Sequence, residues 1–242
     1  MTFLVVLLCG VAVWANLWKQ DLHVQNVKGT GNKIVSTAEI LRLGGIQKNA
    51  RLFDVDLAEV RRRVKGNPYI KTVSVNRDVP GSISINVVER TPLAALGMER
   101  LLFLDPDGVV LPPLQPDQVF DVPVLTGILP SGDYPPGQRV TVESITEALF
   151  LLATARRISD DSYHRISEVH IMQNKEMLLY TAESGVPVVF GCGDVIMKLA
   201  KLDGFWKEVV SRRGARDLLY IDVRFEDEVV VRWNPGTQAV KN

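Results

Sequence analysis

The chain has 242 residues, of which 46% are hydrophobic and 23% charged, with 28 Lys plus Arg against 28 Asp plus Glu. That is ordinary globular usage, which argues against wholesale disorder and against a multi-pass membrane protein. The even charge leaves no overall basic field to draw the chain onto phosphate backbones. The length suits one large domain or two small ones behind an N-terminal segment, and Cys9 and Cys192 form neither a CxxC pair nor a disulfide framework.

The first pattern is an uncharged run over residues 3–18, FLVVLLCGVAVWANLW, ended by Lys19, Gln20 and Asp21. At about 1.5 Å per helical residue it covers roughly 24 Å, short of a hydrocarbon core of roughly 30 Å. Two readings compete: a signal peptide cleaved after Ala15, or an anchor whose upstream part precedes this start. Trp14 and Trp18 suit an interfacial belt and favour the anchor, although no Lys or Arg precedes Phe3 to orient it. A buried core helix is the plain alternative.

Leu22, Val24 and Val27 predict a strand ended by the turn formers Gly29, Gly31 and Asn32. Ser36 and Glu39 form a capping box that starts a helix stopping at Gly44-Gly45, with each side chain serving the other's amide. Asp56 and Glu59 repeat the signature, and Leu57, Val60 and Val64 then recur at helical spacing until Gly66-Asn67-Pro68. Ile70, Val73 and Val75, then Ile83, Ile85 and Val87, predict a hairpin across Asp78-Val79-Pro80-Gly81. The order β-α-α-β-β gives an open sheet with two helices to cover one face.

Beyond residue 91, residues 101–104 and 109–111 predict a hairpin over Asp105-Pro106-Asp107-Gly108. A proline-rich stretch from Pro112 to Pro136 predicts little regular structure. Thr141 is placed to cap a helix carrying Ile145, Ala148, Leu149, Leu152 and Ile158 on one stripe. A meander follows over residues 166–172, 177–181 and 186–190. Next comes a helix over 195–212, capped by Asp194, with Ile196, Leu199, Leu202, Trp206 and Val209 on one side. The tail LYIDVRFEDEVVVRW, residues 219–233, predicts two strands across a short turn.

The series V-x-G-x-x-x-V-S-x-x-E-I ending at Ile40, L-F-D-V-D at 52–56, N-P-Y-I-K-T-V-S-V at 67–75 and V-V-E-R-T-P-L-A at 87–94 resembles a polypeptide-transport-associated (POTRA) domain. The version that runs straight into E-R-x-P is similar to the FtsQ/DivIB family, as are V-P-V-L-T-G at 122–127 and the Ile-Asp-x-Arg-aromatic element at 221–225. The resemblance implies an α+β chain. It would comprise an N-terminal transmembrane helix (1–18), a POTRA domain (22–90), a mixed β domain with two helices and a C-terminal edge strand (91–234), and a flexible tail (235–242). It also implies a non-catalytic division scaffold without cofactor or metal. Such a scaffold sits in the inner membrane at the septum, N-terminus cytoplasmic and bulk periplasmic, and recruits the small bitopic proteins FtsB (DivIC-like) and FtsL.

The valines 229–231 carry the binding reading. A strand that closes a sheet leaves unpaired amides and carbonyls, which proteins usually blunt with charge, proline or cover. Here three valines run uninterrupted into Arg232 and Trp233, residue types favoured as interface anchors. An extended partner segment would then add as one more strand. The resemblance carries this role to Tyr220, Phe225, Asp227, Val229, Val231 and Trp233. The plain reading is a core strand with both faces packed, and the pattern leaves open which valine amides point outward. Arg61, Arg62 and Lys65 lie off the apolar stripe of their helix. They read as a solvated face or as a second docking surface. His23, His164 and His170 lack ligand spacing, Asp160, Asp161 and His164 read as a helix-to-strand loop, and Gly191-Cys192-Gly193 reads as a tight strand-to-helix connection. A POTRA-bearing accessory of outer-membrane transport is the alternative function, but about 150 residues with two helices leave little room for a barrel.

Overall fold

The computed structural model describes residues 22–98, 101–113, 120–127 and 133–235, together with Leu7 and Gly10. The expected membrane segment at 3–18 otherwise lies outside these residues, as does the tail 236–242. Among the described residues no helix is long and apolar enough to cross a membrane. The chain divides into two compact units at Arg90 and Thr91.

The first unit runs β1 (Asn26–Thr30), α1 (Thr37–Gly44), α2 (Leu57–Lys65), β2 (Ile70–Asp78) and β3 (Ser82–Glu89), with the sheet in the order β1-β3-β2. β1 is parallel to β3 and β2 antiparallel to it. The expected β-α-α-β-β arrangement is therefore present. Ile83, Ile85 and Val87 are buried at alternate positions of β3 together with Ile40, Val60 and Val64 of the helices, a period-2 face meeting two helical stripes.

Three local expectations are corrected. The first strand starts at Asn26 rather than Leu22, leaving His23 a single bridge to Arg51. Gly29 therefore lies inside the strand, and the turn begins at Gly31, whose φ of 87° and proximity to the Val87 carbonyl admit no side chain. The capping box is half made: Ser36 Oγ accepts from the Glu39 amide at 3.2 Å, but the Glu39 carboxylate turns outward to Arg42 at 2.6 Å. The loop before α1 is held instead by Glu89, whose carboxylate accepts the backbone amides of Lys33, Ile34 and Val35, each at 2.8 Å. This is the glutamate of the E-R-x-P motif, tying the end of β3 to the loop before α1.

The second unit comprises β4 (Ala94–Gly97), β5 (Leu101–Leu104), β6 (Val124–Gly127), α3 (Glu143–Ile158), α4 (Asp160–His164), β7 (Ile166–Ile171), β8 (Met177–Thr181) and β9 (Pro187–Gly191). It continues with α5 (Val195–Phe205), a π-helical turn (Trp206–Val210), α6 (Ser211–Arg213), β10 (Leu218–Asp222) and β11 (Val230–Trp233). Its eight strands lie in the order β11-β10-β9-β8-β7-β6-β4-β5. The meander β7-β8-β9 is antiparallel as expected.

Further expectations are corrected here. β5 makes its ladder with β4, a strand not expected from sequence, and the expected hairpin is reduced to the antiparallel bridge Leu104–Val110, with the Asp105 amide donating to the Val109 carbonyl at 3.1 Å and the Leu111 amide to the Phe103 carbonyl at 2.8 Å. Asp105, 1% exposed, still organises that turn by accepting the amides of Asp107 and Val109. Residues 124–127, expected as loop, form the interior strand β6, parallel to β4 and β7. Pro123 lies just before the strand, where no ladder donor is lost. α3 has Val142 at its N-cap with no side-chain bond, not Thr141. Likewise Asp194, at φ 47°, makes no cap bond for α5. Asp160, Asp161 and His164 form the short helix α4, capped by Ser159, whose hydroxyl accepts the Ser162 amide at 3.0 Å. In the last helical stretch the π turn inserts a residue and rotates the register. Val210 is thereby buried where Val209 was expected, and Ile196 is 65% exposed.

Candidate partner-binding site

β11 is a terminal strand. It pairs antiparallel with β10, whose other side is parallel to β9, and among the described residues nothing pairs with its outer side. The Asn234 amide donates to the Asp217 carbonyl at 2.7 Å, so Asn234 points its main chain inward. Antiparallel ladders alternate, and the bulge in this pair adds a residue to β10, between Leu218 and Tyr220, not to β11. The main-chain groups of Val230 and Arg232 therefore face β10, while those of Val231 and Trp233 face outward.

The side chains alternate in the same way. Val229, Val231 and Trp233 pack against the core, whereas Arg232, opposite Tyr220, is exposed on the other face of the sheet. Trp233 is held beneath the Arg213 guanidinium, 3.8 Å from its ring centroid, a stacked cation contact that fixes the ring beside the edge. The valine run is thus half-buried on one face and unpaired along its rim.

The connection over residues 223–229 is longer than the short turn expected, and it carries Phe225, 47% exposed, and the exposed Asp227. Two devices shape it. The Asp222 carboxylate accepts from the Arg224 amide at 3.0 Å and from its guanidinium at 2.8 Å, which fixes the Ile-Asp-x-Arg element in one conformation. These bonds from Arg224 outweigh burial and hold the Asp222 carboxyl below the usual carboxylate range. From α5, Lys201 Nζ donates to the carbonyls of Val223 and Glu226, each at 3.2 Å, and to that of Phe225. Sequence reasoning missed Lys201 and Arg213, because a lone cation on a helix carries no periodic signal. Only the Asp222–Arg224 spacing was legible.

The other candidates separate. Arg61, Arg62 and Lys65 are exposed on α2, but Arg62 and Arg63 pair with Glu59 at 2.5 and 2.8 Å, and Lys65 donates to the Lys71 carbonyl. His23, His164 and His170 are not brought together: His164 stands edge-on to Tyr163, and His170 meets Thr126 at 2.8 Å. Among the described residues no group of three or more His, Cys, Asp or Glu is placed to hold a metal ion. At the Gly191-Cys192-Gly193 connection, the Cys192 carbonyl accepts from Lys198 at 2.5 Å.

Fold and edge together define a two-unit α+β protein, a small three-stranded module followed by an eight-stranded sheet left open at its last strand. Residues 22–90 match the family described as POTRA domain, FtsQ-type, and residues 91–231 the one described as FtsQ/DivIB, C-terminal related. The chain belongs to the FtsQ/DivIB family of cell division proteins. It is 32% identical to cell division protein FtsQ of Rhodothermus marinus, over 97% of this chain and 86% of that protein. It is likewise 32% identical to FtsQ of Geobacter sp. (strain M21), over 87% and 76%, and 31% identical to FtsQ of Geotalea daltonii, over 83% and 72%.

Proposed function

We propose that this protein is an anchored, extracytoplasmic scaffold of the division machinery that captures small bitopic partners of the FtsB/DivIC and FtsL kinds by strand addition along β11. In this reading it links early and late septal proteins from the inner membrane, working by binding, with no bond made or broken. The observation that carries it is the one-sided pairing of β11 at the end of an otherwise continuous sheet. Main-chain bonds to the outward groups of Val231 and Trp233 would supply affinity. Tyr220, Phe225, Asp227, Val229 and Arg232, around the rim, would select the partner sequence. Arg61, Arg62 and Lys65 remain a second docking surface in this proposal, Arg62 being paired with Glu59 and Lys65 bonded to the Lys71 carbonyl.

Co-purification of the full chain with its bitopic candidates, with photocrosslinkers placed one at a time over residues 61–65 and 229–233, tests the assignment. Crosslinks from Val229, Val231 and Trp233 support it. A partner that crosslinks only elsewhere removes strand addition as the mode of capture.

A further inference from the structure

We propose that Lys201 is a positioning residue for the binding edge: its ammonium clamps the 223–229 connection from the helix layer, so that β11 presents its rim already extended before any partner arrives. This rests on the strand-addition reading for its consequence in binding, not for the clamp itself.

A lysine ammonium has three donors and no acceptor. Here the bonds of Lys201 converge on one loop, at the carbonyls of Val223, Phe225 and Glu226. That loop has no regular structure of its own, and the strand it leads into is only Val230–Trp233. Such a connection, left to itself, retains conformational freedom that a partner would have to remove on binding. Lys201 is well placed to remove it beforehand, because α5 is seated on the core by Leu199 and Leu202, both buried. Lys198, one turn earlier, fastens the first turn of the same helix to the Cys192 carbonyl and lies over the Phe190 ring. The Asp222–Arg224 pair fixes the point where the loop leaves β10. Lys201 fixes its middle, where no other side chain is bonded to the carbonyls of Phe225 and Glu226 among the described residues.

If the edge is binding-competent only when the loop is clamped, loosening the loop lowers apparent affinity by the competent fraction and shows itself in association, not dissociation. A residue that merely supported the fold would instead lower the melting temperature and spare that split.

The test compares full-length wild type, Lys201→Met and Lys201→Arg in detergent by hydrogen exchange. It then measures binding kinetics with the extracytoplasmic segment of the FtsB/DivIC-like protein of the same genome as probe. Lys201→Met is expected to speed exchange at residues 224–231 about tenfold or more, the size of one lost charged hydrogen bond. Amides of β8 and β9 should be unaffected, association should slow by a similar factor at unchanged dissociation, and Lys201→Arg should recover both. Unchanged loop exchange overturns the clamp. Faster exchange with wild-type association overturns the positioning role. Should wild type not bind the probe, strand addition fails, and the exchange data alone decide the clamp.

Discussion

Asp222 shows how much one carboxylate settles at this edge. It takes the amide and the guanidinium of Arg224 in one local ring, and its carboxyl is held below its ordinary value chiefly by those side-chain bonds, against the opposing effect of burial. Asp203 behaves alike: burial alone would raise it, but bonds from Lys207 at 2.6 Å and Ser162 at 2.7 Å outweigh that and leave it lowered. A carboxyl whose folded pKa is depressed binds fewer protons folded than unfolded. Its contribution is therefore complete above the unfolded value of about 3.9 and is lost as pH falls through the lower folded value. Asp222→Asn is expected to lower stability by about 1 kcal/mol at neutral pH. It should also flatten, without abolishing, the acid limb of stability below about pH 4, because Asp203, Glu39, Glu59 and Glu143 are lowered as well and keep their share. Urea midpoints measured from pH 7 down to pH 2.5 for both proteins check this. An acid limb identical in shape to wild type would mean that the Arg224 bonds are not present in solution.

At the scale of elements, the alternation along β11 turns three similar valines into different ones. Val231 directs its amide outward, so Val231→Pro removes a donor that the proposed strand addition would use and leaves the ladder to β10 intact, a place where edge strands tolerate proline. Val230→Pro removes an inward donor, and is expected to lower the melting temperature as well, by the worth of about 1 kcal/mol for the lost bond plus local strain. Co-purification and thermal unfolding of both variants separate them: Val231→Pro should lose the partner while melting like wild type. Sequence alone does not contain this parity, since Val229, Val230 and Val231 are identical in type and the register comes from the pairing of β11 with β10. The same limit explains the missed strands. Residues 94–97 and 124–127 are too short to show a period, and their status as strands comes from the neighbours they pair with. Longer signals survived: the bounds of α1, the stripes of α2 and α3 and the β7-β8-β9 meander were all legible, because each is fixed by local chemistry. The residues proposed for the rim are a sequence reading, whereas their supports carry no sequence signal, as Lys201 and Arg213 act across the fold on a loop and a ring.

For the molecule as a whole, the two units divide the sequence at Arg90 and each has its own buried interior. The edge proposed for binding belongs to the second. β11 hangs from a continuous ladder through β10, β9, β8 and β7 to β6, and the Leu125 side chain of β6 is fully buried in the middle of that core. Removing its outer carbons leaves a cavity that the sheet cannot close without bending, so Leu125→Ala is expected to destabilise the second unit by about 2–5 kcal/mol. Because a domain of this size is stable by only about 5–15 kcal/mol, that loss should raise the exchange of β7–β10 amides and weaken partner capture, although Leu125 is remote from β11 in the strand order. The amides of β2 and β3 draw their protection from Val75, Ile83 and Ile85 and should exchange as before. Hydrogen exchange resolved by peptide, run alongside partner co-purification, reads both outcomes in one sample. Retained capture with a weakened second core would show that the partner's grip does not depend on the sheet that carries β11, and would move the binding site to the first unit and its α2 face.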